Sequence, residues 1–279
     1  MALSIHTNYS ALTTNTALNK SNSSLATNQQ RLGTGLRINS AADDAAGLQI
    51  ATRLNAQSRG MSVAMRNTGD ATSMLQTAEG AFSEVTDILQ RMKDLATQAA
   101  NDTNGASDRT ALKSEFDELG KEVDNILTNT KFAGEALFAT GGKFTAAVNF
   151  QIGASAAEKL TMNVSAALTT VNTGWATSKG STLDTAANAG TAIGNLETSL
   201  NNVSAMRAQF GANINRLNHT SNNLANMKDN TDMAKGRIMD ADFAIESANM
   251  SKNSMLMQSG ISMLKQAGQM PGMVMGLLG

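Results

Sequence analysis

The sequence predicts a mainly α-helical fold: a long antiparallel helical coiled-coil rod with a small β-hairpin region and its termini paired in a terminal helical block. Three observations carry this expectation. Apolar side chains recur on seven-residue lattices in the interior and near both ends. The chain has one Pro and 4% aromatics but many Ala, Leu, Met, Asn, Ser and Thr, which suits helices better than sheets. One stretch, residues 141–166, switches to strict alternation.

Composition sets the bounds. A chain of 279 residues suffices for one large domain or two ordinary ones. With 17 Met and so few rings, its core must be built from small and flexible side chains. The net charge of −1 gives no general attraction to nucleic acid or anionic lipid. No run of 18 apolar residues exists, so no membrane insertion is expected. The first residues lack a basic start and an apolar stretch, so no cleaved signal peptide is expected either. The absence of Cys excludes disulfides and thiolate chemistry.

Residues 2–36 are polar, with a single apolar row at Ala11, Leu18, Leu25 and Leu32. Its companion positions Asn15, Asn22 and Gln29 are polar. So thin a row cannot hold an isolated helix, so this segment is expected to be helical only when docked. Gly33 and Gly35 then read as a hinge. Ser40 and Asp43 resemble a capping box, and Asp43 with Asp44 read as first-turn acids of the next helix.

That helix, residues 43–100, is the strongest in the chain. Leu54, Met61, Leu75, Phe82 and Leu89 share one lattice, with Thr68 as its polar member. Ile50, Ala64, Ala71, Ala78, Val85, Met92 and Ala99 share a second, broken at Gln57. It would be roughly 85 Å long and must lie against partners along its length. After a turn at 101–108, Leu112, Phe116, Leu119, Val123, Ile126 and Leu127 mark one face of another helix. Phe144, Val148, Phe150 and Ile152, then Leu160, Met162 and Val164, read as a strand pair. Residues 168–190 read as a short variable connection.

A further helix over 191–229 carries Leu196, Val203, Phe210, Leu217 and Leu224 on sevens, flanked by Ile193, Leu200 and Ile214. Gly236 is expected to separate it from a last helix with rows Phe243, Met250, Met257, Leu264 and Leu256, Met263, Met270. Pro271 and Gly272 are expected to end that helix. The expected domains are 1–36 plus 236–279, a terminal block, and 37–167 plus 191–235, a helical rod. Apolar seams at both ends and no compact core imply a protein built to associate.

Several long motifs resemble bacterial flagellin. They are RLGTGLRINSAADDAAGLQIATR from Arg31 to Arg53, QTAEGAF from Gln76 to Phe82, and QRMKDLATQAANDTNG from Gln90 to Gly105. Near the other end stand FGANINRL (Phe210 to Leu217), RIMDADFAIESANM (Arg237 to Met250) and MLKQAGQMPGMVMGLLG (Met263 to Gly279). The resemblance implies the self-assembling structural subunit of the extracellular flagellar filament, a motility polymer. This would be a minimal form without large outer domains. The terminal helices would form the inner tube, with Leu18, Leu25, Leu32, Phe243, Met250, Met257, Leu264, Leu277 and Leu278 at the subunit interface. The implied partners are other copies of the chain, an export chaperone, the type III export apparatus, and junction and cap proteins. Two rivals are a hook–filament junction protein and a secreted coiled-coil binding protein that does not polymerise.

The resemblance also implies recognition by the host flagellin-sensing Toll-like receptor through Arg91, Leu95 and Glu115. Met275, Leu277 and Leu278 match a tail read by intracellular sensors of the NAIP type, with Met275 where Leu is usual. The sequence departs from the family in using Met for Leu at many terminal-helix positions and Gly at 272, 276 and 279. No enzyme, cofactor or metal is expected. His6 and His219 are far apart and no H-E-x-x-H motif joins them. Residues 31–66 hold five Arg against two Asp, and residues 70–124 hold twelve acids against five bases. Those two regions are expected to meet between stacked subunits in a salt-dependent contact.

Overall fold

The structure, a computed structural model, describes residues 8–276. Six helices order the chain: α1 (Tyr9–Thr34), α2 (Ala45–Ala99), α3 (Ala106–Asn129), α4 (Ser165–Lys179), α5 (Ala186–Met239) and α6 (Phe243–Gly276). Two small antiparallel hairpins stand between α3 and α4: β1 (Lys131–Phe132) with β2 (Glu135–Ala136), and β3 (Val148–Gln151) with β4 (Lys159–Met162). The mainly α class with a small β region is as expected. Two compact units form, one from the described parts of Met1–Ala56 and Asn230–Gly279, the other from Gln57–Asp229.

In the Gln57–Asp229 unit, α2 and α5 pair antiparallel. The sense follows from Ala64 packing near Leu224, Arg207 bonding Glu79 (2.7 Å), and Lys93 bonding Glu197 (2.8 Å). Both expected α2 lattices are sealed from Met61 onward. Thr68 sits in the seam at no polar cost, because its hydroxyl donates to the Ala64 carbonyl at 2.8 Å. Ile50 is exposed, against expectation; it lies ahead of the sealed stretch. On α5 the row Leu196, Val203, Phe210, Leu217, Leu224 is buried as expected. Its companion row, however, is Ala192, Ser199 and Met206, with Ile193, Leu200 and Ile214 only half-buried beside it.

The reason for the small residues is α4. It occupies Ser165–Lys179, where the sequence suggested only a connection. Leu168, Val171, Trp175 and Ser178 form its buried stripe. Ser178 and Ser199 hydroxyls bond at 2.7 Å, and a Cβ on Gly174 would lie 2.8 Å from Asn202 Nδ2, so α4 and α5 approach closely. Trp175 lies over the buried Gly120 of α3 and its Nε1 donates to Asp124 at 2.8 Å.

Asp124 is a pH-sensitive tie. Burial pushes its carboxyl up, but hydrogen bonds from Lys179 and Trp175 outweigh that and hold it below the ordinary carboxylate value. The tie therefore contributes fully above the unfolded carboxylate pKa of about 3.9 and fades as pH falls through the lower folded value. Asp124→Asn should flatten that part of the acid unfolding curve while leaving the neutral-side slope alone. Fluorescence of Trp175, the single Trp, reads it directly.

Four phenylalanines close the core where α2, α5 and the hairpin region meet. Phe82 lies 4.7 Å from Phe138 and 6.0 Å from Phe210, while Phe144 lies 5.9 Å from Phe138 and 5.3 Å from Phe210. The β3–β4 register pairs Phe150 with Leu160 and Val148 with Met162, as alternation required. The β1–β2 hairpin was not foreseen. Its two-residue turn, Ala133–Gly134, has φ of 50° and 86°, with Ala where the usual Asn or Asp signal would stand.

Candidate functional site

The Met1–Ala56/Asn230–Gly279 unit holds the side chains with unmet packing. Helix α1 starts at Asn8, whose side chain accepts from Ala11 N, and ends at Gly35, whose φ of 71° suits its position as the C-cap. Asp43 accepts from the backbone N–H groups of Asn39 and Ser40. Those two bonds, first from Ser40, lower the Asp43 carboxyl pKa. The N-cap of α2 is Asp44, accepting from Gly47 N at 2.8 Å. So Asp43 and Asp44 precede the helix rather than occupy its first turn, and the Ser40–Asp43 motif caps a turn.

The break between α5 and α6 falls at 240–242, not at Gly236, which sits inside α5. Asp242 sets the boundary by accepting from Ala244 N and Ile245 N (2.9 and 3.1 Å), capping α6. This break lies beside the one after α1. Ala241 N donates to Gly35 O (2.9 Å), and Arg37 donates through its backbone N to Met239 O and through Nη2 to Ile238 O.

From there α1 and α6 pair antiparallel: Arg31 meets Glu246, Leu18 meets Gly260, and Asn8 donates to Ala267 O. Ala11, Leu18, Leu25 and Leu32 half-bury against Met250, Met257 and Leu264. Helix α6 runs on through Pro271 to Gly276, beyond the expected stop. Pro lacks one N–H donor, and this far along, that costs a single bond of an already formed helix.

Two features of the pair were not foreseen. The first is a buried polar cluster. Glu246 is almost sealed and binds Arg31 Nη1 at 3.1 Å. With its amide nitrogen turned toward the acceptors, Asn28 donates to Ser24 O and Glu246 Oε2 (3.1 and 3.2 Å) and accepts from Asn253 Nδ2. The second is the amount of apolar surface the pairing leaves open. Phe243, expected at the subunit interface, is 68% exposed in the single chain. Tyr9, Leu12, Ile245, Met255, Leu256, Ile261 and Met263 are exposed as well. One thin row on α1 cannot cover the apolar side chains of α6, which lie on more than one face of it. Leu277, Leu278 and His6 lie outside the described residues, as does the side chain of Met275.

The other candidate surface stands in the second unit. Arg91 Nε and Nη2 both donate to Glu115 Oε1 (3.0 and 2.6 Å), and both side chains are about half exposed. Leu95 is not on that surface: it is 2% exposed and part of the core. Two turns of seam, with Met92, Ala96 and Ala99 around it, turn it inward. Several charges of the acidic region are engaged within the chain, Glu79 by Arg207, Glu115 by Arg91 and Asp124 by Lys179. His219 borders a groove of about 400 Å³ between the β3–β4 turn and α5, beside Arg216 and Asn223. Among the described residues, no three His, Asp or Glu side chains gather as a metal site, and no helix is long and apolar enough to cross a membrane.

A helical protein whose two ends pair yet stay partly uncovered belongs to the class of self-associating structural proteins. The bacterial flagellin N-terminal helical region matches residues 5–143, and the C-terminal helical region matches 193–278. Flagellin A of Vibrio anguillarum is 35% identical with both chains covered in full. Flagellin of Bacillus subtilis strain 168 is 37% identical over 98% of this chain and 99% of its own. The crystal structure of Bacillus cereus flagellin aligns with a TM-score of 0.50 at 34% identity, over 57% of this chain and 88% of that one. The chain belongs to the bacterial flagellin family, and that family makes it a structural subunit of the flagellar filament.

Proposed function

We propose that the α1–α6 pair is the surface through which copies of this chain assemble around a common axis. The observation that carries this reading is the exposed apolar set on that pair, Phe243, Ile245, Leu256, Ile261 and Met263 above all. Left in water, such a surface is unstable against association. Copies packed side by side would cover it, with Leu18, Leu25 and Leu32 already seated within each pair. The chain reaches its site of assembly unfolded, through a type III export apparatus and with a chaperone, and meets junction and cap proteins there. Thinly packed terminal helices suit such a route, because they melt readily. The test is polymerisation of purified, salt-seeded protein followed by electron microscopy and sedimentation. Long tubes are expected. A truncation lacking residues 243–279 should stay monomeric while the Gln57–Asp229 unit keeps its helicity, and tubes from the truncated protein would sink the reading.

The Arg91–Glu115 pair supports a second role as the receptor-binding patch. It is exposed, charged and rigidly presented on two packed helices. Arg91→Ala and Glu115→Ala should each weaken activation of the Toll-like receptor by purified monomer, with thermal stability nearly unchanged, since an exposed pair contributes about 0–1 kcal/mol. Leu95→Ala works differently: it removes core packing, so any loss of activation should follow loss of fold. Full activation by the Arg91→Ala monomer would rule the patch out.

A further inference from the structure

Among the described residues, the methionines range from sealed to open. Met61, Met92 and Met206 are sealed within the Gln57–Asp229 unit. Met255 and Met263 on α6 are 65% and 59% exposed, and Met233 on α5 is exposed as well. At about 100° per residue, Ile245, Leu256 and Met263 fall within about 20° of one another around α6, exposed apolar positions on a face that also carries the exposed Lys252. Met255 points elsewhere.

We propose that Met263 is a peroxide-sensitive modification site that gates assembly of the free subunit, an inference that rests on the assembly surface proposed above. The co-substrate is a hydroperoxide, for example hydrogen peroxide. The thioether sulfur attacks one peroxide oxygen, an S–O bond forms and the O–O bond breaks. The sulfur gives up two electrons, and the departing hydroxide takes the proton to leave as water. The resulting sulfoxide is polar and chiral at a position where the thioether would otherwise be buried against a second copy. Burying it against a second copy then costs the desolvation of the S=O oxygen, which the apolar thioether does not carry. Within the assembled row the sulfur would be covered, so the site acts before polymerisation and falls silent after it. A dithiol reductant reverses it, becoming a disulfide as the sulfoxide oxygen leaves as water, which makes the site a gate rather than a lesion.

Peptide mapping of the full-length monomer under graded hydrogen peroxide, paired with polymerisation assays, tests this. Met263, Met255 and Met233 should be oxidised first, with Met61, Met92 and Met206 still reduced. Oxidation of Met263 should raise the critical concentration for polymerisation about tenfold. Met263→Leu should polymerise equally well with and without peroxide, and Met263→Gln should show the raised critical concentration with no peroxide at all. Untreated protein that forms no filaments overturns the assembly reading and this one with it. Normal polymerisation after complete oxidation of Met263, or of Met263→Gln, overturns this one alone. So does equal inhibition of wild type and Met263→Leu.

Discussion

Phe82→Ala is expected to destabilise the Gln57–Asp229 unit by about 4 kcal/mol, at the upper end for a single core truncation. Phe82 is fully buried and touches rings contributed by two other segments, Phe138 and Phe210. Phe144 bridges those two from the opposite side. Removing the Phe82 ring therefore opens a cavity at the point where α2, α5 and the hairpin region are joined. It also removes tilted ring pairs that add about 0.5–1.5 kcal/mol each beyond burial. The neighbouring rings belong to different segments, so collapse onto the void would have to move several backbones at once. Thermal unfolding followed by circular dichroism should show a fall in Tm on the order of 10 °C. Phe82→Leu should cost less than half as much. An alanine variant that melts within about 2 °C of wild type would mean the rings are not the keystone argued for here.

Glu246→Ala is expected to loosen the terminal helices by about 2–3 kcal/mol, enough to dominate a pair with so little apolar cover. The carboxylate meets Arg31 and, through its second oxygen, the Asn28 amide. Taking it away leaves the Arg31 guanidinium and the Asn28 amide, neighbours on α1, turned toward α6 with no carboxylate between them. Arg31 Nε is already buried with no partner, so the remaining charge has few ways to recover its solvation. A polar cluster in an apolar seam also selects register, since sliding α1 by one turn along α6 would strand all its members. Amide exchange should quicken throughout α1, and polymerisation should need a higher protein concentration. Glu246→Gln keeps the shape and part of the bonding, and should fall between. Unchanged exchange in α1 for the alanine variant would show that the cluster neither holds nor aligns the pair.

Much of this architecture was legible, and the exceptions share a cause. The two lattices of α2 from Met61 onward and the alternation of β3 and β4 were read correctly because large apolar residues mark them. Helix α4 was missed because Thr169, Thr170, Thr173 and Thr177 hide its stripe, yet each hydroxyl bonds the carbonyl four residues back and so is tolerated. The second α5 row was missed because close approach of α4 calls for Ala192 and Ser199, which no hydrophobic pattern flags. Gly236 was overweighted as a breaker, for one glycine costs a helix only about 1 kcal/mol. For the candidate sites, the leucines of α1 and the methionines of α6 were visible as rows. Asn28 and Glu246 were not, because a buried polar contact depends on which two helices meet. Leu95 was placed on a surface by resemblance; it lies on neither α2 lattice, and its burial depends on how the helices pack around it.

The bonds tying residues 35–37 to residues 238–241 have a mechanical consequence. The exit from the first terminal helix and the entry into the last are stapled at one spot, so the two cannot swing separately; bending one drags its mate.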